Sequence, residues 1–196
     1  MRRGRLVGAS LGLVWFGAVA AGLIVLWNYE NAPGIAAEPP AHWPARSALR
    51  HVAGVPTLVM LVHPHCPCSR ASLEELDRLM AHLPGVLIAH VLFVKPAGVP
   101  ADWEQTDLWR RAASIPGVSV TRDDGGVEAQ WFDAVTSGQT VVYDGDDRLR
   151  FSGGITAARG HEGDNPGRTA ILSVLASGAA EQRSTPVFGC SLRGGI

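Results

Sequence analysis

The sequence is poor in cysteine and has almost no net charge. It carries three cysteines among 196 residues, and its 17 Lys and Arg nearly balance its 18 Asp and Glu. The odd number leaves at least one thiol outside any intramolecular disulfide. The balanced charge gives neither the basic surface typical of nucleic-acid binding nor an acidic disordered tail, so we expect no nucleic-acid partner. Glycine and proline are scattered at turns, which excludes collagen-like and low-complexity chains.

A long apolar run follows the N-terminus, over residues 6–27. Its length of about 22 residues is enough for a helix to cross a hydrocarbon core of roughly 30 Å. Three arginines precede the run, and no Lys or Arg follows it before Arg46. The positive-inside rule therefore leaves residues 1–5 in the cytoplasm and everything after the run outside. We predict a single-pass anchor in a bacterial inner membrane, with the rest of the chain facing the periplasm or the cell exterior.

The same run could be a signal peptide, since Ala18-Val19-Ala20 offers a small-x-small cleavage site. It continues well beyond this site, however, and Trp27 and Tyr29 are placed as interfacial anchors, which favours an uncleaved helix. A proline-rich stretch over residues 28–46 then indicates an extended linker. The remaining residues, 47–196, have the size of one domain.

Apolar patterns in this domain alternate between strands and helices. Residues 57–62 form a short, continuous apolar run of the kind buried on both faces of a sheet. From Ser69 onward apolar residues recur at every third or fourth position, which predicts an amphipathic helix ended by Pro84-Gly85. The further predictions are strands over 86–94 and 118–121, helices over 102–114 and 127–135, a hairpin of 140–143 and 149–151, and a last helix over 169–176. This order predicts an α/β domain with a mixed central sheet flanked by helices, the thioredoxin-like fold.

Two cysteines stand at the start of the first helix of this domain, in His63-Pro64-His65-Cys66-Pro67-Cys68-Ser69. Unpaired N–H groups and the helix dipole stabilise a thiolate there, and the thiolate is the reactive form of cysteine. Outside the cytoplasm such a pair can cycle through a disulfide by thiolate attack. His63 and His65 would favour the thiolate when protonated. Cys66 is therefore the candidate nucleophile of a thiol–disulfide exchange.

The pairing of the cysteines is left open by their spacing. A disulfide between Cys66 and Cys68 needs a turn at Pro67 that brings the two side chains together, and such a bond would be strained. Cys190, near the C-terminus, could instead fold back as a resolving thiol, or form an inert bridge with either of the others. The cysteines and the two neighbouring histidines are also soft ligands of the kind that bind Cu(I) or Zn.

A polar loop after the hairpin, at residues 157–167, is rich in specific donors. Arg159, His161, Asp164 and Asn165 are candidates for lining the thiol site. The alternative is a local role, in which Asp164 or Asn165 caps the last helix and a proline follows at its first position.

Several strings of the sequence are found together in one family. They are HPHCPCSRASL at 63–73, TSGQT at 136–140, FSGGIT at 151–156 with RGH at 159–161 and GDN at 163–165, and VFGC at 187–190. With these strings the chain resembles the RedB-like proteins, which are membrane-anchored members of the thioredoxin-like superfamily. The resemblance spans essentially the whole domain. It implies the fold and a thiol site rather than a substrate.

The chain departs from ordinary thioredoxins in two places. Thioredoxins carry two residues between their cysteines, so either Cys66 matches the first cysteine, with Ser69 in place of the second, or Cys68 matches the second. They also place a cis-proline where this chain has Gly-Gln-Thr at 138–140. A cis bond at a non-proline residue costs about 2.5–4 kcal/mol, so we predict a trans Gln139 whose side chain reaches toward the cysteines.

Together these observations predict a membrane-anchored, extracytoplasmic thiol–disulfide oxidoreductase with a Cys-x-Cys site, acting on protein thiols and disulfides without a cofactor. The alternative is a copper-binding or copper-delivery module whose ligands are His65, Cys66, Cys68 and Cys190. The candidate catalytic residues are Cys66, Cys68 and Cys190. The residues expected to line the site are His63, His65, Pro67, Ser69, Gln139, Thr140, Arg159 and His161.

Overall fold

The structure, a computed structural model, describes residues 2–193 and divides into two compact units, one up to Ala32 and one from Pro33 onward. The first unit is a single helix, α1, over Arg2–Glu30. Within it Ser10–Glu30 is apolar and long enough to cross a membrane, a property that signal sequences share. The predicted N-terminal apolar helix is thus confirmed, and its retention as an anchor stays a prediction. The outer ends of the predicted segments, at residues 1 and 196, lie outside the described residues.

The second unit is built on one mixed sheet. Its strands are β1 Thr57–Val62, β2 Ile88–Lys95, β3 Val118–Asp124, β4 Gln139–Tyr143 and β5 Leu149–Gly153, and its helices are α2 Ser69–His82, α3 Asp107–Ala113, α4 Val127–Trp131 and α5 Pro166–Ser177. The strand order is β3-β2-β1-β4-β5. The first three strands are parallel, and β4 and β5 form an antiparallel hairpin on the other side of β1.

Apolar side chains cover both faces of the sheet. Every residue of β1 is buried, as its continuous apolar run predicts. On one face, Leu76 of α2 and Ile171 of α5 belong to the same core cluster as Met60. On the other face, Phe132 follows α4 and belongs to a cluster with Val59. The turn with two cysteines between β1 and α2, the parallel strands, the hairpin and the closing helix make this the thioredoxin-like fold that the sequence predicts.

Two helices begin at caps rather than at the predicted residues. α3 begins after Thr106, whose Oγ1 accepts a hydrogen bond from the N–H of Trp109 at 3.4 Å, and not at residue 102. α5 begins after Asn165, whose Oδ1 accepts from the N–H of Arg168 at 2.8 Å, and not at residue 169. The local interpretation of Asn165 as a helix cap is therefore confirmed.

Part of the predicted linker belongs to the second unit. The main-chain N–H of Gly34 donates to the carbonyl of Val187 at 2.7 Å, and that of Trp43 donates to the carbonyl of Asp147 at 2.8 Å. Prolines keep this stretch extended, so its backbone groups bind the domain instead of each other. The compact unit consequently begins at Pro33, before the predicted boundary at residue 47.

Candidate functional site

The neighbouring cysteines lie in the turn between β1 and α2, here called the cysteine turn (residues 63–69). Main-chain hydrogen bonds close this turn, from the N–H of Cys66 to the carbonyl of His63 at 3.0 Å and from the N–H of Ser69 to the carbonyl of Cys66 at 3.1 Å. Cys68 directly precedes α2 and already has helical backbone angles. The N-terminal end of α2 therefore lies at the turn, where its dipole favours negative charge.

Cys66 is fully buried, and all three cysteines are free thiols. Its sulfur accepts hydrogen bonds from the thiols of Cys68 and Cys190 and from the hydroxyl of Ser69. The main-chain N–H of Cys190 also donates to it, at 3.4 Å. Burial by itself raises the pKa of a thiol, but these donors, the Cys68 thiol first, lower the pKa of Cys66 to about 4. Cys66 is therefore a thiolate at neutral pH.

The other two thiols keep their protons through the same contacts. The hydrogen bond to Cys66, then burial and the charge of Cys66, raise the pKa of Cys68 far above its ordinary value. Burial, then the hydrogen bond to Cys66, raises the pKa of Cys190 to about 11. The guanidinium of Arg159 acts in the opposite direction, because it hydrogen-bonds the side chain of Cys68 and attracts negative charge on Cys190. The site thus combines a thiolate, two thiol donors and a nearby cation.

The hydroxyl groups of two serines, Ser137 and Ser69, lie next to each other beside Cys66. The N–H of His63 donates to Oγ of Ser137 at 2.7 Å, and the Oγ atoms of Ser137 and Ser69 are also 2.7 Å apart. Ser69 in turn hydrogen-bonds the side chain of Cys66 and lowers its pKa, so Ser137 is connected to the reactive sulfur through Ser69. Sequence analysis listed Ser69 but missed Ser137, although the TSGQT string at 136–140 contains it.

The two histidines of the cysteine turn play different parts. His63 is fully buried and its Nδ1 accepts from the N–H of His65 at 3.2 Å, so the proton of the neutral ring is on Nε2, which has no hydrogen-bond partner among residues 2–193. Burial lowers the pKa of His63, so it is neutral at pH 7 and does not supply the expected positive charge. His65 is exposed, and its Nε2 lies 3.1 Å from the carbonyl oxygen of Trp103. The two ring centroids of His65 and Trp103 are 4.1 Å apart.

A shallow groove of about 270 Å³ reaches Cys66 from the surface. His65 and Pro67 form one side of it, and Thr106 and Leu108 belong to the other side. Cys66 is among the residues that line this groove, although its side chain has no exposed surface. Pro67, predicted to line the site, does so here.

The C-terminal segment brings Cys190 to the site, as sequence analysis allowed. We call residues 187–192 the C-terminal strap. The strap lies beside residues 135–137, because the N–H of Ser137 donates to the carbonyl of Cys190 at 2.8 Å and the N–H of Leu192 donates to the carbonyl of Val135 at 2.9 Å. Nη1 of Arg159 donates to the carbonyl of Gly189 at 2.7 Å. Cys190 is thus held beside Cys66 by main-chain contacts.

Three predicted lining residues make other hydrogen bonds. The peptide bond of Gln139 is trans, but its Nε2 donates to Oγ of Ser152 at 2.9 Å rather than to a cysteine. Oγ1 of Thr140 donates to the carbonyl of Gly138 at 3.2 Å. His161 is exposed, and its Nδ1 lies 3.0 Å from the carbonyl oxygen of Arg159.

A buried carboxylate that sequence analysis missed fixes the loop of Arg159. Glu75 of α2 is fully buried and pairs with Arg78 and Arg168. Its oxygens also accept from the N–H of Gly163 at 2.7 Å and from Nδ2 of Asn165 at 3.1 Å. The apolar pattern of one helix does not reveal the partners of Glu75, which lie 88 and 90 residues away in the sequence.

The copper alternative needs several ligands directed at one point. Within residues 2–193 no group of three or more His, Cys, Asp or Glu side chains is arranged to hold a metal ion. His65, the predicted histidine ligand, has its Nε2 at the carbonyl of Trp103. The copper ligand set of His65, Cys66, Cys68 and Cys190 stays a prediction.

Comparison with known proteins gives a fold and no family. No protein-family model and no curated protein matches the chain. Among solved structures it is similar to an uncharacterized conserved protein from Geobacillus kaustophilus, with TM-score 0.60 and 21% identity over 84% of this chain and 93% of that one. It is also similar to a hypothetical protein from Sinorhizobium meliloti 1021, with TM-score 0.59 and 19% identity over 83% of this chain and 94% of that one.

A more distant similarity, with TM-score 0.46 and 16% identity over 62% of this chain and 84% of that one, is to the exposed lipoprotein thioredoxin of Streptococcus pneumoniae strain TIGR4. At such identities a likeness shows no more than a shared fold, and the chemistry has to be argued from the site. The strand order and the place of the cysteine turn make this chain a thioredoxin-like protein.

Proposed function

We propose that this protein is a thiol–disulfide oxidoreductase that works outside the cytoplasm, held to the membrane by α1. The observation that carries the proposal is the environment of Cys66, a sulfur whose pKa is lowered to about 4 with two further thiols donating to it. An inert structural cysteine needs no such donors, whereas a thiolate is what attacks a disulfide. The resemblance to RedB-like proteins supports the same assignment.

The exchange proceeds through a mixed disulfide. The Cys66 thiolate attacks one sulfur of a partner disulfide, the partner S–S bond breaks, and the second partner sulfur leaves as a thiolate. A neighbouring thiol of this chain then loses its proton to solvent and attacks the sulfur of Cys66. The products are a disulfide within this chain and a partner dithiol, with two electrons passed to the partner. The reverse sequence oxidises a partner dithiol.

Cys68 is our candidate for the resolving thiol. Its thiol is the leading donor to the sulfur of Cys66, so it is already directed at the atom it must attack. Once Cys66 is bonded to a partner, it carries no negative charge, and the contribution that kept the proton on Cys68 is lost. Arg159, hydrogen-bonded to Cys68, then favours the Cys68 thiolate. Arg159 acts here as a positioning residue, because it does not touch the partner.

The partners are protein thiols and disulfides on the outer side of the membrane. Two features support this location: the arginines ahead of the apolar run at 6–27 with the positive-inside rule, and the persistence of disulfides outside the cytoplasm. The exchange needs no cofactor.

Disulfide mapping of the purified full chain in detergent tests the function. The protein is equilibrated with glutathione buffers of graded potential, without metal, and its disulfides are identified by mass spectrometry. We expect a Cys66–Cys68 disulfide that forms and is reduced reversibly within the range of reduction potentials set by the glutathione buffers. A Cys66–Cys190 bond that resists reduction would make the bridge structural, and three thiols protected only after addition of Cu(I) would support metal binding instead.

A further inference from the structure

The sulfur of Cys66 is a thiolate and therefore reactive, but it is buried and a large partner cannot reach it. Its side chain has no exposed surface. A thiolate attacks a disulfide along the S–S axis, so the partner sulfur has to come into direct contact with it. A small molecule in the groove beside Pro67 needs only a local movement to reach this sulfur, whereas two folded surfaces cannot meet at a fully buried atom. Part of the protein must therefore move before a protein disulfide reacts.

The strap is a covering segment, because the N–H of Cys190 lies against the sulfur of Cys66. The cysteine turn continues directly from β1 into α2 and is fixed by both. The strap belongs to no helix or strand. It is held by main-chain bonds to residues 135–137 and to Gly34, by the contact of Arg159 with Gly189, and by the buried side chains of Val187 and Leu192.

One contact of the strap depends on the state of the reactive sulfur. The N–H of Cys190 donates to Sγ of Cys66 at 3.4 Å. Hydrogen bonds to a charged acceptor are roughly twice as strong as those to a neutral one. When Cys66 forms a disulfide, its sulfur is neutral and the bond weakens. The strap is thus held most firmly while Cys66 is reduced.

We propose that the C-terminal strap is a displaceable cover of Cys66, closed while this sulfur is a thiolate and released when it enters a disulfide, which rests on the exchange function proposed above. When the strap leaves, Cys66 is exposed together with the main-chain N–H of Ser137. An extended segment of a disulfide-bearing protein then takes the place of residues 189–191. The reactivity of Cys66 toward such partners equals its intrinsic reactivity multiplied by the fraction of molecules with an open strap.

Gly189 provides a way to open the strap without touching a thiol. A methyl group at this position would overlap the carbonyl of Ser137, which is main chain and cannot turn aside. Gly189→Ala should therefore displace the strap. Ser191→Ala is the matched control, because this side chain is exposed and, among residues 2–193, its Oγ accepts a hydrogen bond only from the nearby N–H of Arg193, at 3.2 Å.

The experiment measures second-order rates of the reduced full chain in detergent with two disulfides. One is a ten-residue peptide homodimer linked by a disulfide, and the other is 5,5′-dithiobis(2-nitrobenzoate). We expect Gly189→Ala to increase the peptide rate at least about fivefold more than the small-reagent rate, and Ser191→Ala to leave both rates within about twofold of wild type. Equal changes of the two rates in Gly189→Ala would overturn the proposal.

A second measurement decides the question if Gly189→Ala does not fold. Amide hydrogen exchange of the wild-type full chain is compared before and after oxidation with diamide. Oxidation should speed exchange of the N–H groups of Ser137, Cys190 and Leu192 at least about tenfold. Unchanged exchange would overturn the cover, whatever the rates are. A wild-type chain that reacts with neither disulfide would refute the exchange function, while the exchange data would still test the cover.

Discussion

Two segments bring sulfur to the same point in this protein, and they are supported differently. The cysteine turn joins β1 to α2, and its backbone is fixed by the strand, the helix and its own hydrogen bonds. The strap reaches Cys66 from the far end of the chain and is held by main-chain contacts with residues 135–137. The turn therefore fixes the position of the reactive sulfur, and in our proposal the strap determines which disulfides can reach it.

The pKa values of Cys66 in the turn and Cys190 in the strap also distinguish the two segments. The pKa of Cys66 in the turn is lowered to about 4, while that of Cys190 in the strap is raised to about 11. The strap donates hydrogen bonds and the turn receives them. This contrast assigns attack to the turn and modulation to the strap, and each of the following experiments can break that division.

The largest expected effect is the loss of the attacking sulfur. Cys66→Ser should reduce the rate of disulfide exchange by more than about a thousandfold, because a hydroxyl group does not attack a disulfide under these conditions. The rate is measured with the peptide disulfide at pH 7. Cys190→Ser serves as the contrast and should keep the first, attacking step. Full activity of Cys66→Ser would refute the role of the cysteine turn.

The next effect separates the two candidate resolving thiols. Cys68→Ser should react once and then remain as a mixed disulfide, because the thiol that resolves it is missing. Cys190→Ser should still release its partner. Intact mass spectrometry of each variant after one equivalent of peptide disulfide distinguishes the two states. Trapping in Cys190→Ser, with release in Cys68→Ser, would move the resolving role to the strap.

Arg159 should have a smaller effect, and its loss should slow the resolution step. Arg159→Met removes the cation that favours the Cys68 thiolate, and we expect the release step to slow about tenfold at pH 7, with the slow step recovering as the pH rises. Arg159→Lys keeps the charge and should restore part of the rate. Stopped-flow traces give the attack and release steps separately. A loss shared equally by both steps, without pH dependence, would indicate a structural role only.

The smallest effect is on stability as a function of pH. The folded pKa of Cys66, about 4, lies below the value of about 8.5 for an unfolded cysteine, so between these values the unfolded chain binds the proton that the folded chain has released. The free energy of unfolding therefore rises with pH across this window. The stability that Cys66 contributes is lost as the pH falls toward 4. Urea unfolding of the reduced protein at pH 5 and pH 8 should show a smaller rise in Cys66→Ser than in Cys190→Ser.

Two buried histidines also contribute to the loss of folding stability at acidic pH. Burial lowers the pKa values of His63 and His90 below the ordinary value of about 6.5. Their contribution is complete above this value and is lost as pH falls below it, since the unfolded chain then gains protons that the folded chain refuses. The part due to His90 should be the same in wild type and Cys66→Ser, whereas the part due to His63 should change, because the charge of Cys66 raises the pKa of this ring. Parallel curves over the whole range would contradict a stabilised thiolate.

Local patterns predicted the cysteine turn well. The apolar run of β1, the leucine spacing of α2 and the cysteines between them depend on neighbours in sequence, and these parts agree with the structure. Asn165 with the following proline was also recognisable as a cap. Such features follow from propensity and periodicity, which a single sequence displays.

Contacts between distant segments were not predictable in the same way. Nothing in the pattern around Ser137 reveals that its hydroxyl lies against Ser69, and nothing around Gly189 reveals a close approach to residue 137. The neutral state of His63 depends on burial, which the fold alone decides. Gln139 binds Ser152 on the neighbouring strand because β4 pairs with β5 there.

The burial of Cys66 also bears on how long the protein survives chemically. Thiolates are the form that peroxides attack, and oxidation beyond the sulfenic acid is in general irreversible. Susceptibility follows exposure as well as charge, and Cys66 has the charge without the exposure. Because Cys66 is buried between reactions with its partners, small oxidants in an oxidising environment reach and oxidise it only slowly. We therefore expect wild type to accumulate sulfinic acid on Cys66 more slowly than Gly189→Ala during prolonged exposure to hydrogen peroxide, as counted by mass spectrometry.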